Sequence, residues 1–454
     1  MTNPIPSKAL NIMALLRNAG ARDVLVVGGF VRDHLLGIPS KDVDIEVYGM
    51  SVDAIISALQ DQFRLDVVGK SFGVIKIDNE IDVSVPRREN KIGVGHRDFK
   101  IEVDPDMSIE EAARRRDFTI NSMAMHDDGS IIDLFAGDAS LLGHKVLRAT
   151  SAAFKEDALR VLRGMQFAAR FNLRISERDT LAMAKEMFAD FQFLPKERIW
   201  EEWKKFAIKG NHVAAGFKIL EMTDWIFHFP EITAMRGVPQ DPEWHPEGDV
   251  WVHTILVVQE AVNIAIRDQL DDNDRMVLFF AALCHDMGKA ATTRFEDGRW
   301  RAKGHCEASA DVAESFLVQI GAPKWLIEQV KTLVVAHLVH ANGQPTERAV
   351  RRLALRLRPS NINALSRLIE ADHSGRPPLP KGNPFVAWLE MASKLGLQSE
   401  QPQPILRGRD LIQLGVKPGV EMGQVLVKAF ESQLDGAFST LDEALAWFEN
   451  QKER

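Results

Sequence analysis

The apolar run Val24-Leu25-Val26-Val27 breaks at Gly28-Gly29 and leads, after a short helical stretch, into Asp42-Val43-Asp44-Ile45-Glu46. The run has the length of a buried strand, and the two glycines end it with backbone that needs no Cβ clearance. Residues 30–36 read as a short helix. Its N-terminal N–H groups face whatever lies over the glycines, which makes a seat for phosphate. From Asp42 onward, acids alternate with Val43, Ile45 and Val47, the period of a half-buried strand. Side chains two apart share a face, so Asp42 and Asp44 project together. Like charges so close repel unless a cation sits between them, and oxygen-only ligands suit Mg²⁺. This strand–turn–helix–strand unit demands a sheet-based fold at the N-terminal end.

Either piece alone is compatible with an ordinary turn or the wet face of an edge strand. A phosphate seat beside a metal-holding carboxylate pair is equipment for nucleotidyl transfer, where metals clamp the attacking and leaving oxygens. Gly28-Gly29-Phe30-Val31-Arg32-Asp33 with Asp42-Val43-Asp44 resembles the signature of the polymerase-β-type nucleotidyltransferases. More narrowly, it resembles the bacterial CCA-adding tRNA nucleotidyltransferases and their poly(A) polymerase relatives. Arg114-Arg115-Arg116-Asp117-Phe118-Thr119-Ile120-Asn121 is similar to a second family signature. Arginines ahead of an Asp and an Asn suit triphosphate oxygens and ribose hydroxyls. The resemblance implies that Arg116 and Asp117, with Asn121, lie near the nucleotide, and that Gly28, Gly29, Arg32, Arg116 and Arg163 hold triphosphate and sugar.

Asp157 and Arg160 in Glu156-Asp157-Ala158-Leu159-Arg160 stand on one face if the segment is helical, where an intrahelical salt bridge is the plain reading. One acceptor and one planar donor fork can also address the Watson–Crick edge that CTP and ATP share. The segment resembles the amino-acid template of CCA-adding relatives, which implies that role for Asp157 and Arg160. Where many relatives continue with Arg-x-x-Arg-Phe, this chain has Arg163-Gly164-Met165-Gln166-Phe167. Gln166 keeps a donor and loses the cation. A poly(A) polymerase, or an enzyme adding only CC or only A, therefore stays open beside full CCA addition.

Several segments between these motifs carry expectations of their own. Ile81 to Val85 reads as a strand after the turn Asp78-Asn79-Glu80, and Asp82 is either a third active-site carboxylate that helps draw a proton or an exposed strand residue. Arg87 to Pro105 reads as a mobile polar loop, Ser108 to Glu111 as a capping box, and Ile131 to Gly137 as a strand and turn closing the sheet. From about residue 140 to 235 the periodicity is helical, and Trp200 and Trp203 read as core.

Beyond residue 239 the histidines form a series. His253 starts an apolar helix, His285-Asp286 ends one, His305 and His337 follow, and Asp372-His373 closes another. His253, His285, Asp286 and Asp372 make a mixed N/O ligand set for a divalent metal, a transition metal or Mg²⁺, that acidifies water for attack on phosphate. The series resembles the HD superfamily of metal-dependent phosphohydrolases, and His305 and His337 match extra histidines of some members. One branch of bacterial CCA-adding enzymes carries such a domain, linked there to phosphatase and 2′,3′-cyclic phosphodiesterase activity. An HD fold kept as an RNA-binding scaffold, or a chain that is mainly an HD phosphohydrolase, is the alternative.

With 454 residues, several cores are expected: a nucleotidyltransferase head (1–140), a helical neck and body (141–238), an HD domain (239–375) and a helical tail (376–454) after the Pro/Gly-rich stretch 375–384. The fold class is α+β, a mixed sheet with helices followed by all-α parts. A net charge of −8 is unlike that of a protein that coats nucleic acid, so tRNA would be gripped along a local basic stripe, from Arg87-Arg88 through Arg114-Arg115-Arg116 to Arg351-Arg352. Two cysteines, Cys284 and Cys306, cannot build a disulfide framework and point to a reducing cytoplasm. No secretory signal is evident, and the greasiest run, Val277 to Cys284, is too short to span a bilayer. The partners expected are tRNA, CTP and ATP, with no membrane.

Overall fold

The computed structural model describes residues 3–40, 42–67, 73–91 and 99–452. They form two compact units, Met1–His228 and Phe229–Arg454.

The first unit is built on a seven-stranded mixed sheet of β1 (Asp23–Val27), β2 (Val43–Tyr48), β3 (Leu65–Asp66), β4 (Val74–Ile77), β5 (Ile81–Ser84), β8 (Ala124–Met125) and β9 (Ile131–Ile132), in the order β3-β4-β5-β2-β1-β8-β9. One face carries Val24, Val26, Val43, Ile45, Val47, Ile75, Ile77 and Val83. These pack on Ile12, Met13 and Leu16 of α1 (Ser7–Asn18) and on Ile55 and Leu59 of α3 (Val52–Leu59). The period-two alternation thus buries one face and leaves Asp44 and Asp82 on the other. β2 pairs antiparallel with β1, Val27 opposite Asp44, and parallel with β5, Asp44 opposite Asp82. The turn between β4 and β5 puts Asp78 and Asn79 at φ 50° and 60°, left-handed backbone that Asp and Asn tolerate. Phe72, which the strand pattern Phe72-Gly73-Val74-Ile75-Lys76-Ile77 includes, lies outside the described residues.

The expected loop at 87–105 is in part a regular element. β6 (Arg87–Lys91) and β7 (Phe99–Val103) form an antiparallel ribbon with Arg87 opposite Val103. The polar, basic β6 hid it, although Phe99, Ile101 and Val103 of β7 alternate with Lys100 and Glu102 as a strand does. Residues 92–98 of that stretch, among them the basic His96-Arg97, lie outside the described residues. Ser108 caps α4 (Ile109–Arg114) in a full capping box: Glu111 N–H donates to its Oγ and its own N–H to Glu111 Oε2, both at 3.2 Å.

Helices follow, chiefly α5 (Leu159–Phe171), α6 (Thr180–Glu186), α7 (Lys196–Lys209) and α8 (Val213–Met222), with one short parallel pair, β10 (Val146–Leu147) with β11 (Arg174–Ile175). Trp203 is fully buried and Trp200 half-buried.

The second unit is helical: α9 (Pro230–Thr233), α10 (Val250–Arg267), α11 (Asp272–Cys284), α12 (Lys289–Thr292), α13 (His305–Gln319), α14 (Lys324–Ala336), α15 (Glu347–Arg356) and α16 (Ile362–Ser374). A hairpin of β12 (Arg294–Glu296) and β13 (Arg299–Arg301) interrupts them. α10 is long and apolar enough to cross a bilayer by composition, yet over half of it is buried inside the fold. The stretch 375–384 is packed. A Cβ on Gly375 would meet Val257 Cγ2 at 2.6 Å, and Asn383 donates to Ser366 Oγ at 2.9 Å. A separate small core of Leu406, Leu411, Ala429, Phe438, Ala444 and Phe448 holds the last three helices together.

Candidate active site and metal centre

The glycine turn and the acidic strand meet. Gly28 sits at φ 71°, and a Cβ built there would lie 3.1 Å from Arg116 Nη1 and 3.9 Å from Asp44 Oδ2. Only glycine leaves that space open. The following helix, α2 (Gly29–Leu35), has seven residues, so side-chain cations rather than a long helix dipole dominate here. Asp42 immediately precedes β2, and Asp44 is its second residue; both are exposed to a cleft of about 860 Å³. Asp82 stands beside Asp44 across the parallel pair and lines an adjoining recess with Glu46 and Arg116. The three acids form one oxygen-only set. Desolvation in the cleft, with Asp82, Asp42 and Glu46 nearby, raises the Asp44 carboxyl above its ordinary value against the pull of Arg116. A site that penalises its own negative charge in this way fits a divalent cation.

The cleft walls are held by a chain of buried ion pairs. Arg116 Nη2 lies 3.2 Å from both Glu46 oxygens. Arg32, 4% exposed, donates to Asp33 at 2.8 Å and Asn121 at 2.5 Å and lies over the Phe167 and Phe171 rings. Asn121 donates to Asp117 at 3.0 Å, and Arg163 reaches Asp117 Oδ2 at 2.7 Å. Burial pushes the Asp117 carboxyl up, but Arg163, Asn121 and the Phe118 N–H outweigh it and hold it below the usual range. Arg32 and Asn121 therefore line the cleft as buried struts, whereas Arg116 and Arg163, each also tied to an acid, stand more open to it.

Asp157 and Arg160 line the same cleft, by a different route from the one spacing suggested. Asp157 precedes α5 with extended backbone (φ −137°, ψ 108°), so the two do not share a helix face. Asp157 accepts from Arg198 at 2.6 Å, and Arg160 donates to the carbonyls of Ala153 and Arg115 at 2.6 and 2.9 Å. Gln166, 3% exposed, lines the cleft wall further along α5. Arg198 and Asp33 with its partner Arg170 in the cleft, and Glu46 in the adjoining recess, escaped the sequence reading as site residues. Their only signal was charge within helical or strand patterns.

In the second unit four imidazoles turn the same way. Nδ1 of His285, His305 and His337 lies 2.8, 2.7 and 2.6 Å from the carbonyls of Ala282, Ala302 and Val334. A carbonyl only accepts, so Nδ1 carries the proton and Nε2 presents a lone pair. His253 Nδ1 is 2.7 Å from Glu247 Oε1, at an angle short of a good hydrogen bond. Its Nε2 stands 3.3 Å from His285 Nε2 and 3.2 Å from Asp372 Oδ1. Asp286 directs Oδ2 at His285 Nε2 (3.1 Å) and Lys289 Nζ (2.7 Å). Its buried Oδ1 has no hydrogen-bond partner among the described residues, at 3.4 Å from His305 Nε2 and 4.0 Å from His337 Nε2. Converging lone pairs around an orphaned carboxylate oxygen fit a divalent metal.

Burial raises the acidity of His253, but Asp372 and Glu247 outweigh it and favour positive charge at the same place. His245, Glu247 and Lys289 belong to this centre and were not anticipated; the first two lie in 239–250, where prolines, glycine and acids show little periodicity. Cys284 is fully buried, and Cys306 Sγ lies 3.8 Å from His305 Nε2 with its thiol pushed up to about 12, chiefly by burial.

Fold and sites define a two-part enzyme class, a nucleotidyltransferase head joined to an HD unit. The Poly A polymerase head domain family matches residues 24–148, and the HD domain family matches 250–371. The chain belongs to the family of the multifunctional CCA proteins: it is 33% identical to that of Vibrio cholerae serotype O1 over 393 residues, 83% of this chain and 93% of the relative. Its fold is similar to the Bacillus stearothermophilus CCA-adding enzyme in complex with CTP (TM-score 0.63, 20% identity, 100% and 98% of the two chains). It also resembles the Thermotoga maritima CCA-adding enzyme complexed with tRNA (TM-score 0.56, 21% identity, 97% and 98%).

Proposed function

We propose that this chain is a cytoplasmic tRNA nucleotidyltransferase that adds C, C and A to tRNA 3′ ends from CTP and ATP without a nucleic-acid template. The observation that carries this is the in-register pair Asp44–Asp82, with Asp42, beside the Gly28 turn where a cation-lined cleft meets its adjoining recess. Mg²⁺ held by Asp42 and Asp44 would neutralise the triphosphate and the developing charge at phosphorus. Arg116 and Arg163 grip phosphate and sugar oxygens. Asp82 draws the proton from the terminal 3′-hydroxyl, whose oxygen bonds to the α-phosphorus as pyrophosphate leaves. Asp157 and Arg160 read the amine and ring nitrogen common to C and A; Arg198 on Asp157 and two carbonyls on Arg160 preset their angles.

Labelled CTP and ATP offered singly and together with end-truncated tRNA test this reading. Ordered C, C, A products are expected, and a long A-tail on generic RNA would replace it with poly(A) polymerisation.

The second unit supports a second reading, metal-dependent phosphohydrolysis, because the convergent Nε2 atoms and orphaned Asp286 Oδ1 serve no packing purpose. A divalent metal there would supply an acidified water, His253, His285, Asp286 and Asp372 being the ligands. Release of phosphate from phosphomonoesters, lost in His285→Ala, tests it.

A further inference from the structure

We infer that Glu46 and Tyr48 are positioning residues for the incoming triphosphate: through them the Arg116 guanidinium is set in place before a nucleotide arrives, an inference that rests on the transferase reading. Side chains two apart along a strand share a face, so Asp44, Glu46 and Tyr48 form one row on β2. The row runs from exposed Asp44 through half-buried Glu46 to Tyr48, 1% exposed. At its buried end the Tyr48 ring packs among Leu25, Val27, Met107, Ala112 and Ala124. Its hydroxyl donates to Glu46 Oε2 at 2.5 Å. The Glu46 carboxylate in turn accepts from Arg116 Nη2, 3.2 Å from each oxygen. Arg116 Nη1 is left over the Gly28 turn, 3.1 Å from where a Cβ would stand, with a long 3.4 Å bond to the Asn121 carbonyl.

A buried phenol needs an acceptor, and a half-buried carboxylate needs a cation. That accounts for each contact singly and not for their direction. A carboxylate and an arginine pair most tightly when two N–H groups meet two oxygens. Here both oxygens take the same Nη2, and Nη1 stays aimed at the seat of the phosphates. Tyr48 fixes the carboxylate that does this, because a packed ring holding one carboxylate oxygen resists its rotation. Burial, and next the Glu46 charge, pushes the Tyr48 phenol up, so the donor keeps its proton. A guanidinium already held in place loses less side-chain freedom when it grips phosphate, and that saving appears as tighter nucleotide binding.

Tyr48 is the sole tyrosine of the chain, so full-length protein with carbon-13 in its tyrosine ring gives a single resonance that reports this residue. Tripolyphosphate with Mg²⁺ is expected to shift that resonance in the wild type, and to leave it in place in Glu46→Gln and Arg116→Ala. Kinetics supply the second readout. Tyr48→Phe keeps the ring and should raise KM for CTP and for ATP alike by about fivefold, part of the worth of a hydrogen bond to a charged group. KM for tRNA and the melting curve should hardly change. Added to Arg116→Ala, the same substitution should cost nothing further, since contacts in one network are not additive. A wild-type resonance unmoved by saturating tripolyphosphate, an equal cost in both backgrounds, or a KM rise for one nucleotide alone would overturn the inference. A wild type that incorporates neither nucleotide would end the transferase reading instead. Equilibrium dialysis with tripolyphosphate then decides the role of the pair: binding weakened in Tyr48→Phe and Glu46→Gln upholds it, and binding absent or equal in all three proteins refutes it.

Discussion

Asp82 shows what a single residue's neighbours add to its identity. In sequence it is an acid between Ile81 and Val83; in the sheet it faces Asp44 across a parallel pair. Asp82→Asn is expected to lower kcat for nucleotide incorporation about 10²-fold or more, the range for losing a positioned proton acceptor, with tRNA binding retained in a filter assay. Asp117 carries a stability prediction. Its folded carboxyl lies below the ordinary 3.8 because Arg163, Asn121 and the Phe118 N–H outweigh burial. A depressed acid stabilises the fold fully above its unfolded value and loses that contribution as pH falls through the folded one. Asp117→Asn should therefore cost about 1–3 kcal/mol at neutral pH. Denaturant midpoints should show this gap narrowing below about pH 4; a gap independent of pH would contradict the assignment.

At the scale of elements, local signals were the most readable. Ser108 and Glu111 announce the capping box that forms, and Ser108→Ala should lower stability by about 1 kcal/mol, measured by thermal melting. The apolar alternation from Val43 to Val47 announces β2 and its buried face. Spacing misled where it assumed regular backbone: Asp157 and Arg160 share a cleft and not a helix face, because α5 begins only at Leu159. The ribbon β6–β7 has alternation in only one of its strands: Phe99, Ile101 and Val103 of β7 alternate with Lys100 and Glu102, whereas β6 is polar throughout. Gly288 shows an element held by contact. A Cβ there would meet Ser309 N at 2.4 Å and His305 O at 2.6 Å, so Gly288→Ala must push α12 from α13 at the residue that carries the His305 ring. The expected result is loss of phosphate release with nucleotide incorporation intact, and a destabilisation of about 1–3 kcal/mol.

Over the whole molecule, two compact units each carry one acid- or histidine-rich centre made wholly of its own residues. Their chemistries should separate: Asp44→Ala is expected to abolish nucleotide incorporation and spare phosphate release, and His285→Ala to do the reverse. Chelation should silence both, with incorporation returning on Mg²⁺. Loss of both activities in either variant would show that one centre serves both reactions. By itself, the order of residues determined the kinds of chemistry present. The alternating acids after a Gly-Gly turn, the Arg-Asp-Asn run and the His series each state a ligand type at short range, where backbone period fixes geometry. The tertiary structure decided which distant groups meet: Asp82 with Asp44, Arg198 with Asp157, Glu247 with His253. These pairings arise from strand order and helix packing, long-range outcomes of burying apolar faces, and no local period encodes them.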